Sequence, residues 1–224
     1  MSRVTEVGDI PAPLQGEVLR ILQSAVPQAD PVLIHLLGPP GSGKSTVAAL
    51  LAQATRASCP TIVAFDQLME SVPAYRDSPD REDAFRTWEL PAREAGYTLL
   101  RLLLGKRITI ILDHSGAVPS HVELLRHARQ SQHYYVAVIR VLTPLETAAS
   151  RIAARHTDGG RFVPLHYLAD RHAAIEVLLD GYRSVAHYYA DISNELDGVA
   201  GRQFLADECL HLAGQIHSRR PLRS

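Results

Sequence analysis

An α/β sandwich, a parallel β-sheet with helices on both faces, is the fold class this sequence predicts. Three observations predict it. Short apolar runs of strand type alternate with longer helical patterns along most of the chain, the order a parallel sheet with crossover helices requires. One of those runs, Val32–Leu37, leads into GPPGSGKS at residues 38–45 and then into Thr46–Ala52, which patterns as a buried helix. Strand, glycine-rich loop, helix is the setting in which G-x-x-x-x-G-K-[ST] binds phosphate. Finally, 224 residues with 46% hydrophobic and 21% charged content suit one well-buried domain of ordinary composition.

The elements follow in order. Residues 1–30 read as a lead-in and a helix. Pro11 and Pro13 discourage regular structure up to residue 13, and Leu14, Val18, Leu19, Leu22 and Val26 then recur with helical spacing. Residues 31–224 read as a single further domain. Pro27 and Pro31 mark the approach to the first strand, and a second strand, Thr61–Phe65, ends at Asp66. A helical region follows from about Arg81 to Leu104, with Pro91 expected to divide or bend it. The strand Ile108–Leu112 ends at Asp113, a helix lies near 120–131, and Tyr134–Leu142 is the next strand. Thr143-Pro144 opens a helix that Asp158-Gly159-Gly160 breaks. Two more helical segments are expected between about His166 and Tyr189, and a helix over Gln203–His217 closes the chain.

Composition excludes several functions. Lys and Arg total 23 against 24 Asp and Glu, a formal net charge of −1, so the basic footprint of a nucleic-acid binder is missing. Met1–Ile10 is polar and unlike a signal peptide, and the apolar cluster Leu99–Leu104 is short and interrupted by Arg101, so no membrane span is expected. Cys59 and Cys209 read as free thiols, in keeping with a reducing cytoplasm. The histidines form no H-E-x-x-H pattern and have no cysteine partners at zinc spacing, and there is no G-x-S-x-G elbow.

The chemistry that remains is phosphate chemistry. Gly38, Pro39, Pro40, Gly41, Ser42, Gly43, Lys44, Ser45 and Thr46 form the candidate cradle for the phosphates of ATP, with backbone N–H groups and the helix N-terminus facing the anion. Lys44 would reach the β- and γ-phosphates, and the Ser45 hydroxyl would ligate Mg²⁺. Asp66, at a strand end beside that loop, is the candidate general base for an acceptor hydroxyl; its alternative role is to cap the helix starting at Gln67. Asp113 ends a Walker-B-like strand and would hold Mg²⁺ or the acceptor, or else cap a turn. His114 and Ser115 follow it as weaker candidates for substrate contact. Arg151 and Arg155, four apart on one helical face, and Arg161 after the Gly159-Gly160 hinge read as phosphoryl-neutralising cations on a mobile lid, about 151–165. The alternative is a solvated basic face.

These residues resemble a family. GPPGSGKST, the strand-then-aspartate IVAFDQLMESVP, the strand ILD at 111–113, TPLETAASRIAAR at 143–155 and GGRFVPLHYLADR at 159–171 are similar to the zeta-toxin type of P-loop kinase. The wider group includes chloramphenicol phosphotransferase and gluconate-kinase-like enzymes, and the resemblance runs from about Val32 to Asn194. It implies a three-layer P-loop sandwich with a small helical lid, and transfer of a phosphoryl group from ATP with Mg²⁺ to a small-molecule hydroxyl. A nucleotide sugar, a sugar or an antibiotic would be the acceptor. The same resemblance implies Asp66 as the base, Arg155 and Arg161 as phosphate contacts, and an antitoxin-like protein as a partner. Zeta toxins generally carry Glu where this chain has Asp113, and Glu94 is the nearest candidate for a further acidic acceptor contact, a surface salt bridge being its alternative. The competing reading is a regulatory NTP-binding protein without a small-molecule acceptor. No N-K-x-D motif supports a GTPase switch, and the chain has little room for a second helical domain.

Overall fold

The computed structural model describes residues 6–157, 162–195 and 198–218. Within them the strands β1 (Val32–Leu37), β2 (Thr61–Ala64), β3 (Ile110–Asp113), β4 (Tyr135–Leu142) and β5 (Tyr188–Ser193) form one sheet in the order β2-β3-β1-β4-β5. Every pairing is parallel. The helices are α1 (Ala12–Ser24), α2 (Lys44–Ala54), α3 (Phe65–Glu70), α4 (Pro73–Arg76), α5 (Arg81–Gly105), α6 (Pro119–Ser131), α7 (Leu145–Thr157), α8 (His166–Val185) and α9 (Gly198–Ser218).

The central strand β1 is buried along its whole length because both faces of the sheet are covered, and so its sequence is a nearly continuous apolar run. The alternation still operates within it. Leu33 and Leu37 join the core built with α1, α5, α6 and α8, while Ile34 and Leu36 join the one built with α2 and α9. The predicted sandwich, with helices on both faces of a parallel sheet, is what the chain forms.

Several details differ from the sequence reading. Residues 186–189 do not continue a helix: α8 ends at Val185, and Tyr188 and Tyr189 begin β5, paired with Ala137 and Val138 of β4. His187, expected to pack within a helix, stacks on Tyr135 at 4.9 Å, and its Nδ1 accepts from the Val136 N–H at 3.0 Å. Pro91 does not divide α5, which runs unbroken over 25 residues. The lost hydrogen bond is outweighed because one stripe of this helix is buried on both sides of the proline, from Ala84 and Phe85 to Ala92, Ala95, Leu99 and Leu103. At the other end of the chain, α1 begins at Ala12 and takes Pro13 into its first turn, where no N–H is missed, and a 3₁₀ turn over Val7–Asp9 precedes it. Leu14 and Val18 of α1 are fully buried.

The register lines up the strand ends. Asp113 is paired with Leu36 on one side and Ala64 on the other, and Leu142 is paired with Ser193. One edge of the sheet therefore presents the loop after β1, Asp113, the start of α3, Thr143 and Asn194.

Candidate active site

The loop from Gly38 to Gly43 joins β1 to α2, and Gly43 is the N-cap of α2 with φ 89°. Gly41 has φ 78°, and a Cβ there would lie 2.4 Å from the Ala148 carbonyl oxygen, so this position takes only glycine. Lys44 opens α2 and its Nζ donates to the Pro39 carbonyl at 2.9 Å, which holds the ammonium across the mouth of the loop. The buried side of α2 comprises Val47, Ala48 and Leu51, which fixes the helix N-terminus beneath the loop.

Ser45, in the first turn of α2, donates through Oγ to Asp113 Oδ2 at 2.7 Å. Asp113 is the last residue of β3 rather than the residue after it, and is 8% exposed. A hydroxyl and a carboxylate held together at a phosphate loop are the hard oxygen donors that Mg²⁺ takes from protein while keeping water and phosphate as its other ligands. The residues present therefore fit that ion. Among the described residues there is no cluster of three or more His, Cys, Asp or Glu placed to hold a metal by protein ligands alone.

Ser45 and Asp113 line a cleft of about 480 Å³, together with Asp66, Glu70, Arg76, Arg81 and Arg155. Asp66 is exposed in the first turn of α3, whose N-cap is Ala64, so the helix begins one residue before the expected Asp66 cap. Glu70, four residues on along α3, adds a second carboxylate to the same wall. Arg76 and Arg81 come from the junction of α4 and α5; Arg81 Nη1 donates to the Tyr75 carbonyl at 3.0 Å. Arg155 reaches the cleft from α7.

The other candidates lie elsewhere. Arg151 Nη1 donates to the Asn194 carbonyl at 3.1 Å. His114 turns its ring toward Phe65 and His121, at 4.8 and 4.5 Å between centroids, and Glu94 is half-buried on α5; neither is among the residues lining the cleft. Ser115 closes the back of the loop, its carbonyl accepting from the Gly38 N–H at 3.2 Å. Asp158, Gly159, Gly160 and Arg161 lie outside the described residues. Sequence reasoning missed Glu70, Thr143 and Asn194. Thr143 Oγ1 and Asn194 Nδ2 both donate to the Ser42 carbonyl, at 3.0 and 2.7 Å. Reading β5 as a strand would have pointed to Asn194, the residue that follows its C-terminal end, on the side of the sheet where Asp113 ends β3.

A protein-family model described as AAA domain matches residues 33–178. The chain belongs to this family. It has the fold of the P-loop kinases, as the zeta-toxin-like resemblance implied. A chain from the PezAT chromosomal toxin-antitoxin system of Streptococcus pneumoniae superposes with a TM-score of 0.61 at 12% identity, covering 92% of this chain and 96% of that one. Shikimate kinase from Acinetobacter baumannii, solved with shikimate, gives 0.51 at 21% identity over 83% of this chain and 94% of its own. A chain of the AvrRxo1-ORF1:-ORF2 structure with ATP gives 0.68 at 13% identity over 87% of this chain and 68% of its own. No curated protein sequence matches the chain. Among the described residues no helix is long and apolar enough to cross a membrane.

Proposed function

We propose that this protein is a small-molecule kinase that transfers the γ-phosphoryl group of ATP to an acceptor hydroxyl, with Asp66 as general base. The observation that carries the reading is one cleft lined by Ser45, Asp113, Asp66 and Arg155 beside a glycine loop that caps a helix. The loop's N–H groups and Lys44 bind and align the phosphates, which is most of what phosphoryl transfer asks of a protein. Ser45 and Asp113 are the residues that would hold Mg²⁺, whose charge when bound offsets that of the phosphates. The acceptor binds in the same cleft, where Glu70, Arg76 and Arg81 are among the lining residues. Its hydroxyl oxygen forms the new bond to the γ-phosphorus as the bond to the β–γ bridging oxygen breaks, and Asp66 accepts the hydroxyl proton while ADP departs. Arg155 stabilises the charge on the moving phosphoryl group, a role that Arg161 shares in this reading. Arg151 acts through Asn194, to whose carbonyl it donates.

Two of the structural neighbours lend support by what their own descriptions say, one as a shikimate kinase and one as a complex with ATP. A third comes from a toxin-antitoxin system, which supports an antitoxin-like protein partner as part of the same reading. The test is mass spectrometry of a metabolite extract incubated with the protein, ATP and Mg²⁺. A product heavier by one phosphoryl group is expected with the wild type, is lost in Lys44→Ala, and falls roughly 10²–10⁴-fold in Asp66→Asn with ATP affinity nearly unchanged. ATP consumption with no phosphorylated product would point instead to a regulatory ATPase.

A further inference from the structure

The carbonyl of Ser42, a residue fully buried in the phosphate loop, is held from two distant parts of the chain. Asn194 Nδ2 donates to it at 2.7 Å across 152 residues of sequence, and Thr143 Oγ1 at 3.0 Å across 101. The Asn194 carbonyl is 3.2 Å from the same Thr143 hydroxyl and accepts from Arg151 Nη1 of α7 at 3.1 Å. Finishing the strands does not require these side-chain bonds, because the Asn194 N–H already donates to the Leu142 carbonyl at 2.8 Å. Their common target is the loop.

The chemistry at that target is specific. In a trans peptide the N–H of the next residue points opposite to the carbonyl. Two donors drawing the Ser42 carbonyl outward therefore aim the Gly43 N–H the other way, as an anion cradled by the loop needs. Beside it, Gly41 lies so near α7 that an added Cβ would be 2.4 Å from the Ala148 carbonyl. Helix α7 thus meets the loop twice, at Gly41 and through Arg151–Asn194–Ser42, and one turn beyond Arg151 it carries Arg155 into the cleft.

We infer that Thr143 and Asn194 are positioning residues that key α7 to the phosphate loop, so that nucleotide bound in the loop and Arg155 stationed in the cleft are set by one hydrogen-bonded unit. This rests on the reading of the loop as an ATP site. A ligand that stiffens one end of such a unit orders the other, and the coupling is reciprocal.

The experiment uses the full chain and ATP as the probe. Thr143→Val keeps the shape of the side chain and removes its hydroxyl, while Thr143→Ser keeps the hydroxyl. ATP affinity is measured by calorimetric titration, and backbone hydrogen exchange over α7 with and without saturating ATP. The wild type should bind ATP and slow exchange in α7. Thr143→Val should bind about tenfold more weakly and lose the ATP-dependent slowing, and Thr143→Ser should restore both to within about twofold. If Thr143→Val fails to fold, Asn194→Ala carries the same two measurements with the same expectation. Wild-type affinity and slowing in Thr143→Val would overturn the inference alone, as would equal losses in Val and Ser variants, which mark a packing role. A wild type that binds no ATP would overturn the kinase reading, and this inference with it.

Discussion

Acidification should destabilise this protein at a pH where most folded proteins are untroubled. Strand β1 directs His35 to the sheet face covered by α5, α6 and α8, where it and His121 of α6 are both 0% exposed. The rings of His35 and His114 lie 5.3 and 4.5 Å from that of His121, whose Nε2 is 2.6 Å from the Tyr97 hydroxyl. Burial pushes His121 from 6.5 down to about 4. Burial also holds His35 and His114 well below the usual range, with repulsion from His121 and from Lys44 adding to it. The unfolded chain takes up these protons near pH 6.5 and the folded one does not. The stabilisation is therefore complete above pH 6.5 and is lost as pH falls toward 4. From His121 alone the loss is on the order of 1 kcal/mol on going from pH 7.5 to 5.5, and roughly 3 kcal/mol below pH 4. With a urea dependence of about 2–3 kcal/mol per molar for a chain of this size, the first figure moves the unfolding midpoint by a few tenths of a molar, roughly 0.4 M. The assay is urea unfolding followed by circular dichroism at pH 7.5, 6.5 and 5.5, with His121→Asn as the variant that removes its own share of the slope. A midpoint that stays constant or rises on acidification would refute the reasoning.

Asp113→Asn should raise the Mg²⁺ concentration needed for half-maximal activity by about tenfold or more, because it removes the negative charge of the carboxylate that Ser45 contacts; metal titration of activity checks this. Gly41→Ala should cost about 2 kcal/mol or more in thermal unfolding and abolish nucleotide binding, since the new Cβ meets backbone rather than a movable side chain at φ 78°. Arg155→Lys should lower kcat by on the order of 10²-fold with little change in KM, because an ammonium cannot replace the planar fork of a guanidinium at the phosphoryl oxygens; steady-state kinetics decide it.

The parts of this site that were legible in the sequence are those whose signal is local. GPPGSGKS carries its own backbone geometry, because the positive φ at Gly41 and Gly43 favours glycine, and the strand before it and helix after it are neighbours in sequence. Asp66 and Asp113 could be picked out for a similar reason. In a parallel sheet every strand ends on the same edge, so a carboxylate next to an apolar run is already near the loop. Even there, the chain alone left open whether Asp66 capped a helix and whether Asp113 held Mg²⁺, bound the acceptor or capped a turn.

Tertiary structure decided the rest. Strand β5 is a short edge strand with Asp191 and Ser193 in it, and only its pairing with β4 makes it a strand. With it came Asn194 and the clasp on Ser42, whose members are 101 and 152 residues apart in sequence. The unbroken α5 was likewise settled by a buried stripe strong enough to carry Pro91, and the histidine cluster by β1, α6 and the loop after β3 coming together. A sequence window shows propensity and period. Which strand lies beside which, and therefore which side chain reaches which carbonyl, follows from packing both faces of one sheet at once, and no local stretch of sequence holds that information.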